Sequence, residues 1–232
     1  MKSKRTYSLV FSALLVLVSV AHATILTPGT GGQLPDIFTG CSGCTLLATH
    51  DTGLVTSSFN GVTLTFDLVA AVYSDPNNTF GAGDLDFMYQ VTNEARSTDS
   101  IGRVTALDFT GFQTDVGYNT AGSTLPGSVF ATDGTVAPGL VDRNTASTVG
   151  FGFSVPPLFA LIRPGTTSMV LMIETNAINF QLGKASVIDG SATTVDAFGP
   201  APAKPVPEPG SLALLGSGLA ALAGMLRRGV QS

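Results

Sequence analysis

An all-β domain, an antiparallel β-sandwich of jelly-roll type, is the fold class this 232-residue sequence predicts. Three observations carry that prediction. Apolar residues recur at every second position over several short stretches, the period of a strand with one buried face. Gly and Pro are plentiful, at 27 and 13 residues, and many fall between those stretches, where the chain must turn. From Thr24 to Pro205 no sustained apolar stripe has helical spacing.

The elements follow in order. Val62, Leu64, Phe66 and Leu68 alternate with Thr63, Thr65 and Asp67. Leu85, Phe87, Tyr89 and Val91 alternate with Asp86, Met88, Gln90 and Thr92. Each stretch reads as a half-buried strand, and the turn-rich run from Ser74 to Gly83 joins them as a long hairpin. Further strands are expected at Arg103 to Phe112, Ala146 to Ser154 and Thr167 to Thr175, at the spacing of a sandwich. Weaker patterns lie at Leu54 to Phe59, Ser128 to Ala131, Phe180 to Leu182 and Ala185 to Ile188. Val149, Phe151 and Phe153 share one face, with Gly150 and Gly152 between them. Met169 to Ile173 is apolar on both faces, as a central strand would be. Pro156-Pro157 and Pro164-Gly165 punctuate the chain, and no internal repeat of fixed period is evident.

The two ends are of another kind. Residues 1–23 read as a secretory signal peptide: Lys2, Lys4 and Arg5, then an apolar run from Leu9 to Val20, then Ala21-His22-Ala23 as the signal-peptidase site, with Thr24 the first mature residue. Residues 24–197 form the ectodomain, and residues 198–205 a Pro/Ala linker that stands it off a membrane. Residues 206–228 hold Val206-Pro207-Glu208-Pro209, then Ser211 to Leu226 without a charge, then Arg227-Arg228 as a basic stop. As a helix, residues 211–226 reach about 24 Å, a short membrane span that snorkelling arginines or local thinning can complete. Arg227 and Arg228 held inside place the domain outside the cytoplasmic membrane.

That tail resembles the PEP-CTERM sorting signal of Gram-negative bacteria, in which a Pro-Glu-Pro triplet, a short apolar helix and a basic end are processed by a membrane transpeptidase, exosortase. The run from Asp84 to Asn93 also looks like a strand found in ectodomains of such proteins. The resemblance implies export, a transient membrane anchor and delivery to the cell surface or extracellular matrix, often beside exopolysaccharide or biofilm genes. It implies no reaction and no cofactor.

Composition narrows the partners. Between Thr24 and Pro205 stand six Lys and Arg against fifteen Asp and Glu, a balance near −9. Nucleic acid is recognised through basic patches, so it is excluded as the expected partner. Such acidity suits solubility outside the cell, or divalent cations.

Chemistry-bearing residues are few. Cys41-Ser42-Gly43-Cys44 in an exported chain reads as a local disulfide, contributing about 2 kcal/mol at most through its short loop. A redox or metal role would need a helix at the pair, or more ligands than His50 adds. Asp75, Asn77, Thr79 and Asp86 fall at positions 1, 3, 5 and 12 of a calcium loop, but Phe80 stands where that loop needs Gly, Asp86 replaces the bidentate Glu, and strands flank it. An ordinary hairpin connection is the competing reading, with Asp84 and Asp86 on a solvated face. His50 is the sole mature His, and no G-x-S-x-G occurs. The expectation is a non-catalytic surface or matrix protein associated with exopolysaccharide. The alternative is a carbohydrate- or calcium-dependent binding module; a sugar-binding face would bring Tyr73, Tyr89 or Tyr118 together at the surface, since the chain has no Trp.

Overall fold

The computed structural model describes residues 24–154 and 160–202. The signal segment, the Pro156-Pro157 turn, the sorting motif, its helix and Arg227-Arg228 lie outside the described residues. Among the described residues no helix is long and apolar enough to cross a membrane.

The chain is all-β and forms two sheets. The expected hairpin is present: β4 (Val62–Ser74) pairs antiparallel with β5 (Leu85–Asn93), from Phe66 opposite Asn93 to Ser74 opposite Leu85. β4 is long enough to take two partners on its other side. Its first half pairs with β3 (Val55–Phe59) and its second with β2 (Thr45–Asp51). Asn60 and Gly61 connect β3 to β4, and both have positive φ (50° and 83°), the backbone of a tight two-residue hairpin that Asn-Gly adopts at least cost. On the far side of β5 comes β11 (Val170–Thr175), then β7 (Thr114–Asn119), then the short β1 (Asp36–Phe38). β1 runs parallel to β7, an exception in an otherwise antiparallel sheet; two-residue β10 (Thr166–Thr167) extends the partner list of β5.

The second sheet is antiparallel throughout. Its order is β13 (Ala192–Pro200), β12 (Phe180–Ile188), β6 (Arg103–Ala106), β9 (Val149–Gly152) and β8 (Leu140–Arg143). The stretches expected at Phe180 and at Ala185 are therefore one strand. Residues 128–131 are not a strand, and the one expected from Arg103 to Phe112 stops at Ala106. β13 runs into the expected linker, so Phe198, Gly199 and Pro200 are paired with β12. The side chains explain it: the Phe198 ring meets Phe180 edge to face at 5.5 Å.

The sheets close over one main core. Phe66, Leu68, Phe87, Tyr89, Leu171 and Ile173 from the first sheet meet Val104, Val149, Phe151 and Val187 from the second. Fully burying each large side chain here contributes about 1.5–3 kcal/mol. A second, smaller core lies on the outer face of the first sheet. There Tyr73, Met88, Val170 and Met172 are covered by Cys44, Leu125 and Phe130 from loops. That cover corrects one expectation: β5 is buried on both faces along nearly its whole length, not half-buried.

Candidate functional site

The outer face of the first sheet ends in a row of acids. Asp115 on β7 lies directly opposite Glu174 on β11, and Glu174 directly opposite Asp86 on β5. Residues two apart on a strand share a face. The row therefore continues the face that carries Met88 and Met172. Its members are hidden: Asp86 is 0 % exposed, Asp115 1 % and Glu174 5 %. Asp86 was expected on a solvated face with Asp84; the loops over this face bury it.

The connection between β4 and β5 folds down onto the row. Asp75, at its start, is 5 % exposed, and its carboxylate accepts the Asn77 amide N–H at 2.7 Å. One carboxylate oxygen each of Asp75 and Asp86 lies within 4.8 Å of the other and of both cysteine sulfurs. Asn78 donates its side-chain amide to Asp86 Oδ1 at 2.9 Å. Thr79 reaches two acids: its backbone N–H donates to Glu174 Oε2 at 3.1 Å and its hydroxyl to Asp115 Oδ2 at 3.3 Å. Asp36 on β1 closes the far end, receiving the Thr24 backbone N–H at 2.7 Å and the Thr24 hydroxyl at 3.0 Å. Gly117, opposite Asp36, must be Gly, because a Cβ there would collide with the Asp36 carbonyl.

The electrostatics are one-sided. Burial pushes the Asp86 carboxyl well above the usual carboxylate range, and the charges of Glu174 and Asp75 add to it. Asp115 is pushed up to about 7, first by burial, then by Asp36 and Glu174. Glu174 is raised by burial, against the pull of the Thr79 hydrogen bonds. Among the described residues no basic side chain pairs with them. The ion pairs among the described residues, Arg103 with Asp142 and Lys184 with Asp196, belong to the second sheet.

The predicted site residues divide. Asp75 and Asp86 come together, as the calcium-loop count requires. Asn77 turns away, donating its side-chain amide to Ser42 O at 3.0 Å and tying the loop to the cysteine turn. Thr79 positions acids that the count did not include. Sequence reasoning missed Asp36, Asn78, Asp115 and Glu174; the available signal was an acid at the end of the apolar run Met169 to Ile173, where a polar side chain is unusual. Cys41 and Cys44 lie at disulfide distance, their Cα atoms 5.5 Å apart. Cys41 Sγ is 3.8 Å from Asp86 Oδ2.

His50 is not part of this cluster. It sits on β2 opposite Ala70, edge-on to Phe198 at 6.3 Å, in an open groove with Asp51, Thr52, Lys184 and Asp196. Lys184 is bonded to Asp196 there, and no Ser or Cys lines the groove as a nucleophile. Tyr73 and Tyr89 are buried and Tyr118 half-buried, so they form no shared aromatic platform.

Outside the described residues, the tail gives the remaining evidence. A family model described as the PEP-CTERM protein-sorting motif matches residues 205–228. No curated protein and no solved structure matches the chain. The match covers the Pro-Glu-Pro triplet at 207–209, the uncharged stretch and the arginine pair. The chain thus carries a PEP-CTERM protein-sorting motif at residues 205–228, which implies export with a C-terminal membrane-anchoring signal and processing by exosortase.

Proposed function

We propose that this is a non-catalytic protein of the cell surface or extracellular matrix, which exosortase releases from its anchor and which then associates with exopolysaccharide. The observation that carries the reading is the sorting motif at 205–228 behind a two-sheet β domain. Support for a structural role comes from the shape of the concavities. The polar groove beside His50 is open, and its one cation is already paired. A general base needs a nucleophile or a water held within hydrogen-bond reach, which that groove does not assemble from side chains. The carbohydrate-binding alternative loses its platform, because Tyr73 and Tyr89 pack inward.

The test is intact-mass spectrometry of the protein recovered from its host's membrane and medium, beside a Glu208→Ala variant. The expected wild-type chain starts at Thr24 and ends between Pro207 and Pro209, whereas the variant keeps its arginine pair. Retention of Arg227-Arg228 in both would reduce the tail to a plain anchor and remove exosortase as the partner.

A further inference from the structure

We propose that Cys41, Cys44, Asp75 and Asp86 form a structural zinc site between the cysteine turn and the β4–β5 connection, with both cysteines bound as thiolates. This goes beyond sorting and display, and stands or falls independently of them.

Strand register assembles the set. Thr45 of β2 lies opposite Ser74 of β4, so Cys44 and Asp75, the residues just beyond, meet at the same end of the sheet. Asp86 enters from β5, opposite Tyr73 on β4. Gly43, at φ 81°, turns the chain so that Cys41 comes back beside Cys44, with the Cα atoms 5.5 Å apart. One ligand atom from each of the four residues lies within 4.8 Å of all the others. In a zinc tetrahedron with bonds of about 2.0–2.3 Å, neighbouring ligand atoms stand about 3.3–3.8 Å apart, so small rotations of the side chains complete the shell. Cysteines at this spacing need two further ligands to hold zinc, and the aspartates supply them where His50 does not.

A second observation points to a ligand. Asp86 is 0 % exposed, and its Oδ1 is satisfied by the Asn78 amide at 2.9 Å. Oδ2 faces Cys41 Sγ, 3.8 Å away. In a disulfide that sulfur carries no proton, which leaves Oδ2 a buried acceptor without a donor; in a dithiol it meets only a weak S–H. After burial itself, the charges of Glu174 and Asp75 oppose the ionisation of Asp86, and among the described residues no ion pair reaches either aspartate. A neutral disulfide gives no reason for two buried carboxylates to face it. A divalent ion does, since buried charges are paired or coordinate metals.

The surroundings hold the ligands in place. Asp75 Oδ1 accepts the Asn77 backbone N–H at 2.7 Å, and Asn77 donates its side-chain amide to Ser42 O at 3.0 Å, inside the cysteine turn. Each aspartate thus has one oxygen fixed from outside, as outer partners orient the ligands of metal sites.

The donor set selects the ion. Two thiolates with two carboxylates suit zinc, which takes sulfur and oxygen in a four-coordinate shell; calcium and magnesium take oxygen, and copper(I) favours sulfur. Four protein ligands, three of them buried, leave no position for water or substrate, so the ion has a structural role. It pins the β4–β5 connection to the start of β2, over the face that carries Met88 and Met172. Loading involves no electron transfer: two S–H bonds give up their protons to solvent as two Zn–S bonds form. Export favours the disulfide, so disulfide and ion compete for the same two sulfurs.

The experiment uses the exported full chain in detergent, either reduced under argon and freed of metal by dialysis against chelator, or oxidised to the disulfide. Each form is titrated with zinc chloride while heat and melting temperature are followed. The reduced form is also titrated with cobalt(II) chloride while its absorption spectrum is read. Zinc is expected to bind the reduced chain once and raise the melting temperature by about 5–10 °C at a hundredfold excess over its Kd. Cobalt gives a thiolate-to-metal charge-transfer band, which Cys41→Ser removes; calcium gives no shift, and the oxidised form does not respond. Asp75→Asn and Asp86→Asn each weaken zinc binding by about a hundredfold or more, beyond the loss of an outer partner. Without metal each melts no lower than the wild type, which separates lost binding from lost folding. A reduced chain with no saturable zinc response overturns the proposal. So does a response that both aspartate variants keep, which leaves a dithiol chelate, or one that the disulfide form shares, which leaves a carboxylate site. Chain recovered from its host, alkylated before any reduction and found wholly disulfide-bonded, overturns it too.

Discussion

Arg143 shows what a single residue does in this domain. It is 2 % exposed, yet its partners are oxygens of neutral groups: Leu26 O and Thr114 Oγ1, each at 3.1 Å, and Phe109 O at 2.6 Å. One planar fork thus ties the segment at Leu26, the loop after β6 and the start of β7 to β8. Burial lowers its pKa from the usual guanidinium value. Arg143→Leu would leave two carbonyls and a hydroxyl without their donor, at about 1–3 kcal/mol for each group that stays dry. A loss of about 2–4 kcal/mol in urea unfolding is expected after partial relaxation; a loss below about 1 kcal/mol would mean that water replaces the fork. Arg143→Lys should recover only part, since an ammonium cannot span the three acceptors. Nothing in Val-Asp-Arg-Asn marks this arginine as buried, because its partners come from distant segments.

Among the elements, local pattern was legible and long-range cover was not. The β4–β5 hairpin followed from alternation and turn chemistry, and its register agrees with the apolar face read from Val62 and Leu85 onward. The second face of β5 could not be read, since Asp86, Met88 and Gln90 look like solvent-facing positions until loops carrying Cys44, Leu125 and Phe130 close over them. Strands of mixed character were missed for the same reason. β2 reads Thr-Leu-Leu-Ala-Thr-His-Asp, with a register shift between Leu46 and Ala48 that breaks its alternation. The end of β13 has linker chemistry, Phe-Gly-Pro, and becomes strand only because β12 lies beside it. The Asn60-Gly61 turn carried a strong sequence signal that the reading of the flanking strands passed over. At the site, counting twelve residues from Asp75 found Asp86. Glu174 and Asp115 arrive by strand pairing, which a linear count does not contain.

On the scale of the whole molecule, the acid row makes stability depend on pH in an unusual direction. In the metal-free chain, Asp86, Asp115 and Glu174 hold their protons to higher pH than in the unfolded state, where carboxyls ionise near 4. The folded state therefore binds more protons above about 4, so stability falls as pH rises from there through the value of about 7 that Asp115 takes. Asp36 and Asp75 face the same group of acids and keep the field negative. Melting in chelator should accordingly be higher at pH 5 than at pH 8, and a curve that rises over this interval would show the row to be solvated or already compensated. The contact between Thr24 and Asp36 then acquires a meaning in time. Cleavage after Ala23 would turn the Thr24 amide, 2.7 Å from the Asp36 carboxylate, into an α-ammonium with a full positive charge. Precursor and mature chain would differ by one unit of charge where the domain is most crowded with negative charge. The processed domain would then be slightly more stable than its precursor, so that signal-peptide removal itself strengthens the fold. A chain starting at Thr24 should melt about 2–4 °C above one with a single Gly ahead of it, about 1 kcal/mol at this size, and Asp36→Asn should erase the difference; equal melting of the two wild-type forms would leave the cleavage without a structural consequence.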